Sequence, residues 1–125
     1  MLKSRKVGLS KTTLARMYWP LMELESTRGD RCEVCGRAWP LNSHHIVRRG
    51  AGNLYADGKA LPKPTITLCG MGNVLRDADG RLYCHGAAHS GMLHFRNNGG
   101  AREYLFTDPM PYFEALQIEE GWKGC

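Results

Sequence analysis

No run of apolar residues in this 125-residue sequence is long enough to span a membrane, so no membrane partner is expected. No apolar stretch follows the basic segment Met1–Lys6 either, so the N-terminus does not read as a secretory signal. The expected location is a reducing cytoplasm. Internal repeats are also missing, which sets aside solenoids and arrays. Large apolar residues are thinly spread among fifteen glycines and six prolines. A single domain of this length buries roughly two-thirds of its unfolded surface. The expectation is a modest core, much irregular backbone, and some brace besides hydrophobic burial. Positive charge is what the chain has in excess. A net charge of +5 suits a polyanionic partner, although many ordinary proteins share that balance.

Residues 1–9 are basic and lack hydrophobic periodicity, as an arm would. Ser10 is placed to cap a helix through Thr12–Trp19, and Pro20 either kinks that helix or opens a second turn. Thr65–Leu68 reads as a short β-branched strand. Asp77–Gly80 reads as a turn, with Arg81–Tyr83 returning as a strand. A short helix is predicted from His85 to Phe95, ended by Asn97-Asn98-Gly99-Gly100. Tyr104–Phe106, a proline-bracketed turn at Asp108–Pro111 and Tyr112–Leu116 make up a packing flap.

All five histidines and four of the five cysteines fall between Cys32 and Phe95. In a reducing compartment, closely spaced cysteines more often bind metal than pair as disulfides. Cys32-Glu33-Val34-Cys35-Gly36 has the pattern of a zinc knuckle: two thiolates chelate one ion across a tight turn that glycine completes. Structural zinc takes four ligands in a tetrahedron. Cys69 and Cys84 supply the other two, although fourteen residues separate them where a second Cys-x2-Cys pair is common. A site of two cysteines and two histidines is the alternative, because His85 follows Cys84 directly. A set of buried reduced cysteines would leave the knuckle spacing unexplained. Cys125 reads as an unpaired surface thiol.

His44 and His45 are adjacent. On an extended chain, neighbours point in opposite directions, so one can hold a metal while the other faces substrate. His85 and His89 are four apart and share a face of a helix, where both can approach one ion. His94 lies half a turn away and should miss it. A purely structural binuclear zinc module is the plainer interpretation of the same residues.

The ordered set Cys32-x2-Cys35, His44-His45-Ile46, Leu68-Cys69 and Cys84-His85-x3-His89 resembles the HNH endonucleases of the ββα-metal (His-Me finger) group, over roughly residues 31–96. More narrowly, it is similar to small HNH proteins of phages and prophages, some of which assist genome packaging. The resemblance implies an α+β fold with three parts. Residues 1–30 form a basic arm and helical segment, 31–98 a ββα-metal core stapled by zinc on Cys32, Cys35, Cys69 and Cys84, and 99–125 a C-terminal flap. It implies hydrolysis of DNA phosphodiesters, with His44, His85 and His89 binding a catalytic Mg2+ or another divalent ion such as Mn2+ (His89 alternatively the scissile phosphate), and His45 as general base. Its partners would be DNA and, for the phage-like members, a packaging protein. The family's middle asparagine is expected five residues before Cys69, where this chain has Pro64; Asn53 and Asn73 are substitutes out of register. That departure keeps a non-catalytic zinc-bound nucleic-acid-binding module as the rival. Arg48, Arg49, Arg81 and Arg96 are the candidate nucleic-acid contacts, with Lys59, Lys63 and Arg76 also flanking the site. Each is readable as a phosphate contact or as a solvated surface charge, and for any single one the second is the commoner case.

Overall fold

The computed structural model describes residues 11–47 and 55–125. Helix α1 runs from Lys11 to Met22 and carries Pro20 within it rather than starting anew there. Its end is tied down by Asn97, whose amide donates to the Pro20 carbonyl at 2.7 Å. Ser10 and the basic arm lie outside the described residues. Tyr18 and Leu21 from α1, and Leu24 just past it, are buried, and the helix packs on a strand from the second half of the chain.

The first sheet pairs β1 (Leu41–His45) with β4 (Thr65–Cys69), antiparallel, with Leu41 opposite Cys69 and His45 opposite Thr65. The predicted strand at Thr65–Leu68 is present and reaches one residue further. Ile66 and Leu68 are fully buried and form the centre of the core with Leu21, Val47 and Cys69. Between these strands a short ribbon pairs β2 (Tyr55–Ala56) with β3 (Lys59–Ala60). Asp57 and Gly58 turn it, both at positive φ (54° and 77°), as a tight two-residue hairpin turn requires.

After β4 the chain makes an excursion and returns in helix α2 (Cys84–His89), which packs against β4. The predicted turn at Asp77–Gly80 is there: Gly80 N–H donates to the Asp77 carbonyl, and Asp77 Oδ1 accepts from the amides of Asp79 and Arg81. Arg81–Tyr83 returns as a single bridge between Arg76 and Leu82, not as a strand.

The predicted helix from His85 to Phe95 is corrected. It stops at His89, and Leu93–Asn98 is strand β5, paired antiparallel with β6 (Ala101–Phe106). Gly91, at φ 74°, breaks the helix where the Met110 backbone passes too close for a side chain: a Cβ there would stand 2.9 Å from the Met110 carbonyl oxygen. Gly99-Gly100 is therefore a hairpin turn, with Asn97 and Asn98 ending β5, and segments on both sides of residue 98 share one sheet. β7 (Lys123–Gly124) adds to β6. The single-turn helix α3 (Tyr112–Ala115) folds back so that Tyr112 stacks on Tyr18, with centroids 5.5 Å apart and rings 7° from parallel. The Tyr112 hydroxyl donates to the Phe95 carbonyl. The whole is a small α+β protein with antiparallel sheets. Among the described residues, no helix is long and apolar enough to cross a membrane.

Candidate metal centres

The knuckle turn brings Cys32 and Cys35 together through local hydrogen bonds. Cys32 N–H donates to the Arg37 carbonyl at 2.8 Å, and Gly36 N–H donates to the Cys32 carbonyl at 2.9 Å. Gly36 holds φ 82° with open space around it, so conformation and not crowding calls for glycine. Glu33 then docks the turn onto β4: its amide donates to the Thr67 carbonyl at 2.9 Å, and its carboxylate accepts from Thr67 N–H at 2.7 Å. This docking delivers the knuckle to Cys69 at the end of β4 and Cys84 at the start of α2. The four sulfurs all lie within 4.8 Å of one another, Cys35 and Cys69 at 3.6 Å. The amides of Cys35 and Cys84 point at the sulfurs of Cys32 and Cys69, at 3.5 and 3.3 Å.

Three of these cysteines are buried and Cys35 is exposed. The hydrogen bond with the Cys84 thiol pulls Cys32 down to about 4, while that bond, followed by burial, holds the Cys84 proton on. Burial first of all pushes Cys69 up to about 11. Without a cation, the thiols resist ionising together. A tetrahedral metal such as zinc, bound by thiolates, is what this donor set fits. His85 is not in the sulfur group, so the four-cysteine arrangement is the one the geometry assembles.

A second group gathers His44, His85 and His89, whose ligand atoms also lie within 4.8 Å of one another. His44 comes from β1, and α2 presents the other two one turn apart. Ring centroids are 5.0 Å (His44–His85), 5.3 Å (His44–His89) and 4.6 Å (His85–His89) apart, and the Nε2 atoms of His85 and His89 are 3.0 Å apart. Burial, and then the neighbouring imidazoles, hold His44 down to about 3; burial and His89 lower His85. Both are thereby biased to the neutral form that presents a lone pair, and three imidazoles facing one point fit a divalent cation. His45 lies outside this group but borders the same cavity of about 620 Å³, which His44, His85 and His89 line. His94 is not among the three: it is on β5, buried, with Nε2 3.0 Å from Thr107 Oγ1.

Backbone crowding sets the α2 position. A Cβ on Gly70 would stand 2.6 Å from the Cβ of His85, so the β4 end and α2 approach more closely than any other residue permits. Pro64 is buried, and its carbonyl accepts from Ile46 N–H at 3.1 Å, pinning the chain beside His45. Asn73 is exposed, and Asn53 lies outside the described residues.

Of the candidate arginines, Arg48 and Arg49 lie outside the described residues. Arg81 is exposed. Arg96 is already engaged, bonded to Glu103 at 2.7 Å and lying over the Trp122 ring at 4.5 Å. Lys59 is exposed, Lys63 half-buried, and Arg76 donates to the Gly80 carbonyl at 3.1 Å. Sequence reasoning missed Asn42, which contacts His85. Lying two residues before His44 on an extended strand puts it on the same face, and that spacing was the available signal. It also missed the cavity wall contributed by His94, Met110 and Tyr112, for which no local pattern gives notice. Comparison with protein-family models, curated proteins and solved structures found no match.

Proposed function

We propose that this chain is a divalent-metal-dependent endonuclease that hydrolyses DNA phosphodiester bonds, of the HNH (ββα-metal) type. The observation that carries this reading is the three-histidine group, built on an antiparallel strand pair and the following helix, with the four-cysteine group braced against that helix. Zinc on Cys32, Cys35, Cys69 and Cys84 is assigned a structural role, since a closed set of four ligands leaves no position for substrate. His44, His85 and His89 leave open positions and are assigned the catalytic ion. A bound divalent ion there supplies positive charge for the scissile phosphate and its leaving oxygen. All three donors are nitrogen, which favours a first-row transition ion over magnesium. His45 stands beside the group without joining it, placed to take the proton of the attacking water. The exposed Arg81, with Arg48 and Arg49, is assigned to phosphate contacts, which position DNA without reading its sequence.

The test is nicking of supercoiled plasmid by purified protein, with and without added divalent ions. Nicking should require the ion. His44→Ala should lose ion affinity and activity together, with partial rescue at high ion concentration. His45→Ala should keep its affinity for the ion yet turn over roughly 10²–10⁴-fold more slowly at any concentration. A His45→Ala protein cutting at the parent rate removes the general-base assignment. Protein that binds DNA but never nicks it, with any divalent ion, would instead be the zinc-bound binding module that Pro64 in place of the family's asparagine allows.

A further inference from the structure

Asn42 sits at the junction of the two centres, and its amide is pinned at both ends by groups whose roles are fixed. One end lies 3.1 Å from the Gly72 amide, which can only donate, so the atom facing it is the oxygen. The other end lies 3.0 Å from the Leu41 carbonyl, which can only accept, so that atom is the NH2 group. An amide flip would break both contacts. The same oxygen is 2.9 Å from His85 Nδ1. An acceptor there requires a proton on Nδ1, and a neutral imidazole then carries its lone pair on Nε2. That is the atom 3.0 Å from His89 Nε2.

We propose that Asn42 is a positioning residue for the three-histidine centre: it holds the Nδ1 proton of His85 and turns the Nε2 lone pair toward the ion site. This rests on the reading of that group as a metal centre. A ligating histidine whose other ring nitrogen is held by an acceptor is fixed in tautomer and orientation, and losing such a partner typically weakens metal binding. Gly72 belongs to the excursion between Cys69 and Cys84, so Asn42 also links the loop spanning the sulfur site to a histidine of the other. Asn42 and His44 lie two apart on β1, so one strand face presents both a ligand and the residue that orients its partner.

Two measurements on zinc-loaded protein test this. Long-range 1H–15N correlation spectra of the protein without added ion should show His85 protonated on Nδ1, and Asn42→Leu should lose that preference. Titration with Co2+, read by visible absorption, should show a nitrogen-ligated site that His44→Ala abolishes. The near-ultraviolet thiolate band that exchange at the cysteines would produce should be missing. Asn42→Leu should bind Co2+ roughly 10–100-fold more weakly with zinc retained. Asn42→Asp, which keeps the acceptor, should recover most of that loss. A parent with His85 protonated on Nε2, or an Asn42→Leu protein binding Co2+ like the parent, overturns the role of Asn42 and leaves the metal centre standing. A parent with no His44-dependent Co2+ site overturns the metal reading itself, and this role with it. If Asn42→Leu does not fold, the parent spectrum and the Asn42→Asp isotherm decide.

Discussion

His44 favours its neutral form because it is buried and because the imidazoles of His85, His89 and His45 are close by, and together these hold its pKa at about 3 against an ordinary 6.5. When the folded-state pKa lies below the unfolded one, the unfolded chain takes up the proton first as pH falls. The contribution of this group is therefore complete above about 6.5 and is lost progressively as pH drops toward about 3. His85 and His94 are lowered by burial and act in the same direction. Urea unfolding of protein without added ion should give a lower midpoint at pH about 5.5 than at about 7, and His44→Gln should show a flatter dependence. Because both proteins carry the same cysteines, acid loss of zinc cancels in the comparison. Equal slopes would mean that His44 is not held neutral by its surroundings. At this scale much was legible: adjacent histidines and a pair four apart bring three imidazoles together. The position of Asn42 was not inferred, because its importance depends on Gly72, thirty residues away, meeting the same amide.

At the scale of elements, α2 is short and its place is set by what glycine allows. A Cβ on Gly86 would stand 2.3 Å from the Val74 carbonyl oxygen and 2.9 Å from the Leu75 Cα. Both are backbone atoms, so relief requires moving the excursion and not a flexible side-chain end. Two effects oppose each other in Gly86→Ala. Helix propensity favours alanine by about 1 kcal/mol, and overpacking costs about 1–3 kcal/mol or more. With a contact this short, overpacking should win, lowering stability by about 1–2 kcal/mol. Urea titration should show a lower midpoint with unchanged slope; a raised midpoint would refute the crowding argument. A different glycine, Gly91 at φ 74° against the Met110 backbone, is why the predicted helix to Phe95 was too long. Histidine spacing invited a helical reading, but Leu93, His94 and Phe95 are paired to β6 across a Gly99-Gly100 turn with φ of 62° and 97°. Two runs separated by Gly-Gly are a hairpin signal, and the reading of those glycines as a helix stop concealed it. Thr65–Leu68 was legible because its β-branched alternation agrees with a strand that is buried from Ile66 onward.

Across the whole molecule, the two centres depend on each other unequally. The sulfur group ties together a loop, the end of a strand and the start of a helix. These are otherwise joined by the Glu33–Thr67 hydrogen bonds, the Arg37–Asp77 ion pair and the packing of α2 on β4. The largest fully buried side chains among the described residues are Leu21, Val47, Ile66, Leu68 and Cys69. Metal binding at such a site is folding free energy. The histidine group hangs from the same framework: Cys84 precedes His85, Gly70 after Cys69 presses on it, and Gly72 holds the amide that faces it. The reverse does not hold, since His44, His85 and His89 close no loop that the strand pairing and α2 have not already closed. Mild chelation that removes only a histidine-bound ion should leave far-UV circular dichroism and the unfolding midpoint nearly unchanged. Stripping the sulfur site should collapse both the fold and the Co2+ site at the histidines. Purified protein should carry about one tightly held zinc per chain, and Cys32→Ser should be largely unfolded, while His44→Ala and His89→Ala should fold and retain that zinc. Metal analysis paired with thermal unfolding separates these cases. A folded, zinc-free protein with an intact histidine site would show that hydrophobic burial alone holds the framework.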